Sequence, residues 1–86
     1  MGRNRTRRTA KNKAIGKRVQ LEREAQGISR ATLAAHLEID ESMVGRIESG
    51  YVALSLVRAE QLARYLSVPL SRLLAEVSDA EQRAAG

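Results

Sequence analysis

Residues 29–50, SRATLAAHLEIDESMVGRIESG, leave the chain little choice of structure. Ser29 stands where a side-chain oxygen can accept a hydrogen bond from one of a helix's unpaired first amides. Leu33, Ala34 and Leu37 follow at helical spacing on one face. Asp40 offers a second cap, and Val44 and Ile47 form the apolar face behind it. Gly50 falls where a helix commonly ends in a left-handed turn. Between Leu37 and Asp40 only two residues remain, so the second helix must turn sharply against the first. The expected helices run over residues 30–36 and 41–49.

Two short helices joined in this way make a helix-turn-helix, whose second helix lies in the DNA major groove. The pattern extends to both sides. Ile15-Gly16-x-x-Val19 and Arg23-x-x-x-Gly27 precede it, and Gly50-Tyr51-Val52-Ala53-Leu54-Ser55 and Leu62-Ala63-x-x-Leu66-x-Val68 follow. Over about residues 15–74 the chain resembles the lambda-repressor-like, or Cro/C1 (XRE), helix-turn-helix family. The resemblance implies an all-α, compact five-helix domain with a flexible basic N-terminal arm, and double-stranded DNA as the partner.

Eighty-six residues make one small domain. Phe and Trp are absent, so Leu, Ile, Val and Ala must fill the core. Without cysteine, neither a disulfide nor thiolate metal ligation is available. The lone histidine, His36, reads as a solvated surface residue and has no companions for a metal site. No apolar run approaches the roughly 18 residues of a membrane helix, and the basic N-terminus lacks the apolar stretch of a signal peptide. A cytoplasmic, nucleoid-associated protein is expected, with no membrane partner, no cofactor and no small-molecule ligand. No catalytic constellation stands out, and an enzyme is not expected.

Charge is unevenly placed. The first eighteen residues carry +8, and the remainder carries −3. Blocks of like charge usually act as solvated interaction tails, and polyphosphate is the natural partner for this one. Three segments are expected: a disordered basic arm over residues 1–10, the DNA-binding domain over 11–77 and a short C-terminal tail over 78–86. In the arm, Arg3, Arg5, Arg7, Arg8 and Lys11 can contact phosphates or the minor groove. A purely solubilising tail is the alternative.

The outer helices can also be placed. The first should run over residues 11–26 and stop at Gly27, with Ile15 and Val19 facing the core. Glu22 occupies a position that the family usually fills with an apolar residue. Glu38 stands where the family usually has Gly in the turn. A non-Gly residue in left-handed backbone costs about 1–2 kcal/mol. The fourth helix starts after Ser55, with Leu56, Ala59, Leu62, Ala63 and Leu66 along one face. Pro69 opens a fifth helix over about residues 71–77, since its missing amide would be unpaired there anyway. Ser78 to Glu81 has capping-box spacing and could start a last turn.

Base reading requires side chains that point away from Val44 and Ile47. Glu41, Ser42, Gly45 and Arg46 meet that condition. Arg46 can give two hydrogen bonds to guanine O6 and N7, Glu41 can accept from cytosine N4, and Ser42 can serve either kind of base. Gly45 costs the helix about 1 kcal/mol relative to Ala, while letting its backbone approach the bases. The alternative is that Glu41 and Arg46 are ordinary solvated charges. Ser29, Arg30, Tyr51 and Ser55 are candidate phosphate contacts, the two serines through helix N-terminal amides. Arg30 replaces a common family Gln and could pair with Glu41 while holding a phosphate. Arg23 and Glu48 match a family pair that bridges the first and third helices, and carry a structural role by that resemblance.

These expectations amount to a sequence-specific transcriptional regulator, acting as a repressor. A homodimer through Leu70, Leu73, Leu74 and Val77 of the fifth helix would suit a palindromic operator, and a monomer is the alternative, since one short helix exposes little apolar area. Two other readings use the same fold: an antitoxin that represses its own operon, and a nonspecific nucleic-acid binder driven by the arm.

Overall fold

The computed structural model describes residues 9–75. Over these residues the chain forms five helices in the order α1 (Ala10–Ala25), α2 (Arg30–Leu37), α3 (Glu41–Ser49), α4 (Leu56–Leu66) and α5 (Leu70–Leu73). Each start has a local cause. Thr9, Ser29 and Ser55 accept hydrogen bonds from the amides of Asn12, Thr32 and Arg58, each at 3.0 Å. These bonds satisfy amides that the helix itself cannot pair. Because Thr9 caps it, α1 begins at Ala10 and takes in the last residue of the expected arm. Asp40 has the extended backbone of a cap (φ −72°, ψ 149°) but makes no side-chain capping bond.

Helices α1 to α4 end alike. Two or three residues past each helical end, a backbone amide closes a six-to-one turn: Ile28 N to Arg23 O (3.1 Å), Ile39 N to Ala34 O (3.0 Å), Tyr51 N to Arg46 O (2.9 Å) and Val68 N to Ala63 O (3.0 Å). The preceding residue is left-handed each time: Gly27, Glu38, Gly50 and Ser67. Glu38 therefore adopts the turn conformation that the family's Gly would take, at φ 60° and ψ 44°. Ile28, Ile39 and Val68 then fold back against the core, the contact that normally accompanies this turn. Tyr51 does not: it remains 49% exposed.

Val19, Leu33, Ala34, Leu37, Val44, Leu62, Ala63, Leu66 and Leu73 form the core. Burial of each large member contributes about 1.5–3 kcal/mol relative to exposure. Ile15 is partly buried and packs against this cluster. Closest approach occurs where α1 crosses α3. A Cβ on Gly16 would stand 2.2 Å from Ile47 O and 2.7 Å from Glu48 O. Gly50 likewise leaves no room for a Cβ against the Lys13 backbone, 2.8 Å away at Cα. The first turn of α1 is thereby seated on the C-terminal end of α3.

Several expectations need correction. Leu56 continues the apolar stripe of α4 but is 65% exposed, and its neighbour Val57 equally so. Adjacent helical residues point in different directions, so among the described residues this turn extends past the packing that covers the rest of α4. Helix α5 is shorter than the expected 71–77: it starts at Leu70, with Pro69 as its cap, and ends at Leu73. Leu73 is fully buried in the core, which removes it from any dimer surface. Leu70 is half-buried and packs on the core, whereas Leu74 is 55% exposed. Val77 and the Ser78–Glu81 spacing lie outside the described residues.

Glu22 shows how a carboxylate can replace an apolar residue. It is buried, accepts from Arg72 Nε at 2.7 Å, and pairs with Arg18 Nη1 at 3.4 Å. The carboxylate ties α1 to α5. Gln26 adds a second tie from the end of α1, donating to Leu66 O at 2.6 Å.

Candidate nucleic-acid interface

The 3.6-residue period splits α3 into two faces. Val44, Ile47 and Glu48 are buried. Ser42 and Arg46 are exposed on the other side, while Glu41, exposed at the start of the helix, and the partly covered Gly45 lie at the edge between the two faces. A Cβ on Gly45 would meet only Arg30 Nη1, at 3.9 Å, which is ordinary contact. Nothing within the described chain therefore demands glycine there. Gly16 and Gly50 are glycines for reasons of internal packing, whereas Gly45 is not.

Glu48 lies beneath this face. Its side chain is 1% exposed. Arg23 Nε donates to Oε2 at 2.6 Å and Nη2 to Oε1 at 3.1 Å. Arg23 Nη1 also donates to Ile28 O at 2.7 Å, at the turn that ends α1. The Glu48 hydrogen bond raises the Arg23 guanidinium above its ordinary value, against the burial that would lower it. Arg30 completes the cluster, with Nε donating to Glu48 Oε1 at 3.0 Å. Its carboxylate partner is thus Glu48, not Glu41. Glu41 stands on nearly the same side of α3 as Glu48 but two turns, about 10 Å, back along the axis.

The flanking candidates are spread around this helix. The Ser29 hydroxyl is occupied, accepting from Thr32 N and donating to Thr32 Oγ1 at 2.9 Å. Any phosphate at this end must meet the remaining backbone amides. Ser55 similarly spends its oxygen on Arg58 N. Tyr51 is exposed directly after the C-cap of α3. Lys11 is exposed on the first turn of α1, while Arg3, Arg5, Arg7 and Arg8 lie outside the described residues.

Two contacts had no sequence signal. His36 is exposed, yet its ring stacks on Tyr65 with centroids 3.9 Å apart and 25° between planes. Arg58 donates to Leu37 O at 3.3 Å and to Gln61 Oε1 at 2.9 Å, so it serves the end of α2. Among the described residues no group of His, Cys, Asp or Glu could hold a metal ion, and no helix is long and apolar enough to cross a membrane.

Two short helices packed through a tight left-handed turn, with one polar helix face held outward, define a helix-turn-helix DNA-binding domain. The comparisons agree. A profile of the helix-turn-helix family matches residues 19–73. The restriction-modification controller protein C.AhdI from Aeromonas hydrophila is similar in structure, with a TM-score of 0.71 and 35% identity over 76% of this chain and 98% of that one. The DNA-binding domain of BldD superposes with a TM-score of 0.68 and 27% identity, over 76% of this chain and 94% of that one. No curated protein sequence matches. The chain belongs to the Cro/C1-type (XRE) helix-turn-helix family of DNA-binding transcription regulators.

Proposed function

We propose that the protein is a sequence-specific repressor of transcription that inserts α3 into the major groove of its operator. One observation carries this reading. Gly45 borders the exposed residues Ser42 and Arg46 of α3 without any internal steric reason to be glycine. A residue that weakens the helix by about 1 kcal/mol makes physical sense if a surface outside the chain must come close. Arg46, Ser42 and Glu41 stand around it as the side chains that meet base edges. C.AhdI, similar over most of its length, is a controller protein of a restriction-modification system. A controller role of that kind is consistent with the proposed regulator.

Phosphates position the protein and bases specify the site. The amides at the starts of α2 and α4 and the Tyr51 hydroxyl serve the phosphates. Exposure of Tyr51, at a position where the other three turns pack an apolar side chain inward, supports its part in this. The basic arm leaves from the first turn of α1, which rests on the C-terminal end of α3. Lys11 is exposed on that turn, and Arg3, Arg5, Arg7 and Arg8, which precede it in the sequence, supply further charge for the same duplex.

Selection from a random duplex pool tests the proposal. The wild-type chain should enrich a motif containing guanine. Arg46→Ala should cost about 1–3 kcal/mol on that motif and leave binding to random duplex little changed. Deletion of residues 1–8, which spares the Thr9 cap, should lower affinity on every sequence and flatten its salt dependence, by about 0.9 in log–log slope per lost phosphate contact. Symmetry in the motif would report two copies binding together. Absence of any enriched motif, or an Arg46→Ala variant that binds like wild type, would overturn the reading.

A further inference from the structure

Arg30 opens α2, but its guanidinium belongs spatially to α3. Its Nε is fixed to Glu48 Oε1 at 3.0 Å. Glu48 cannot follow a moving neighbour, because Arg23 holds it with two hydrogen bonds. Its side chain is also enclosed in the packing between α1 and α3. Arg30 is therefore anchored to a stationary point while its own side chain stays 43% exposed. The anchor uses one of five donors, leaving the two terminal nitrogens with four N–H groups. Nη1 lies 3.9 Å from the place where a Gly45 Cβ would stand. The guanidinium thus borders the space that a side chain at position 45 would fill.

We propose that Arg30 is a specificity-determining residue that presents Nη1 and Nη2 over Gly45 to a guanine edge. The central cation of the reading face then comes from α2 rather than from α3. This rests on the reading of α3 as the helix in the major groove. Guanine offers O6 and N7 side by side, and the terminal fork of an arginine matches that pair. Holding Nε beforehand removes much of the rotamer freedom that a long side chain would otherwise lose on binding. Gly45 leaves the approach open, and Glu48, buried beneath, is the positioning residue. Lysine at position 30 would keep the charge but lose both the fork and the Nε anchor.

The test is duplex selection with the wild-type chain, Arg30→Lys and Arg30→Gln, with thermal unfolding recorded for each protein. Both variants should lose one guanine column that wild type selects, distinct from the column lost in Arg46→Ala. Affinity for the wild-type motif should fall about 10- to 100-fold. Binding of Arg30→Lys to random duplex should change by less than about threefold, since its charge remains. If Arg30→Lys keeps every guanine column and loses affinity equally on the motif and on random duplex, Arg30 is a phosphate contact and the proposal is wrong. A wild-type chain that selects no motif would instead remove the reading of α3 itself, a result distinguishable from the first.

Discussion

Gly16→Ala sets two known effects against each other. In an open helix the change is favourable, by about 1 kcal/mol. Here the added methyl would stand 2.2 Å from Ile47 O, 2.7 Å from Glu48 O and 2.8 Å from Glu48 C. The obstacles are backbone atoms of α3, which no rotamer change can clear. Relief to ordinary contact requires α1 and α3 to part by about 1 Å, a gap that forfeits a quarter to a half of the dispersion energy of atoms facing it. Val19, Val44 and Ile47 are buried at or near this crossing. The short Arg23–Glu48 bonds span the same two helices and would lengthen with them. Overpacking of this kind typically costs about 1–3 kcal/mol, and a clash with backbone belongs at or above the upper end. After the helix-propensity gain, a net loss of about 2 kcal/mol or more remains. In a domain of this size that lowers Tm by about 5–20 °C. Urea unfolding followed by circular dichroism at the helical band would measure it, since the chain has no Trp. A Gly16→Ala midpoint equal to or above that of wild type, with the urea slope unchanged, would refute the packing argument.

The other glycines and charges give contrasting outcomes. Gly45→Ala should raise stability by about 1 kcal/mol, because its methyl meets nothing closer than 3.9 Å, while weakening binding to the selected duplex. A variant that is more stable and binds equally well would show that close approach at Gly45 is unnecessary. Glu38→Gly should raise the free energy of unfolding, read from urea curves, by about 0.5–1 kcal/mol: relief of the left-handed strain outweighs the extra freedom of the unfolded chain. No gain would mean that the Glu38 turn is unstrained. Arg23→Ala leaves the buried Glu48 carboxylate with Arg30 alone and strips Ile28 O of its side-chain donor, so a loss of about 3–5 kcal/mol is expected in the same unfolding assay. A loss under 1 kcal/mol, about the value of an exposed pair, would show that the cluster is not load-sharing in the folded state.

What could be read along the chain was decided by near neighbours. Caps at Ser29 and Ser55, the stops at Gly27 and Gly50, and the apolar spacing of Leu33, Leu37, Val44 and Ile47 act within a turn or two. These signals sufficed for the order of the helices and for which face of α3 points outward. The Arg23–Glu48 pair, 25 residues apart, came from family resemblance, because no local rule links two residues at that separation. Periodicity misjudged Leu56 and Leu73: it identifies a stripe without telling where that stripe finds a neighbour. Glu22 meeting Arg72, 50 positions away, Arg30 turning to Glu48, and Gly16 seated against the α3 backbone all depend on how the helices cross. Such pairings are fixed only when the core closes, because their geometry belongs to two helices at once and is written in neither alone.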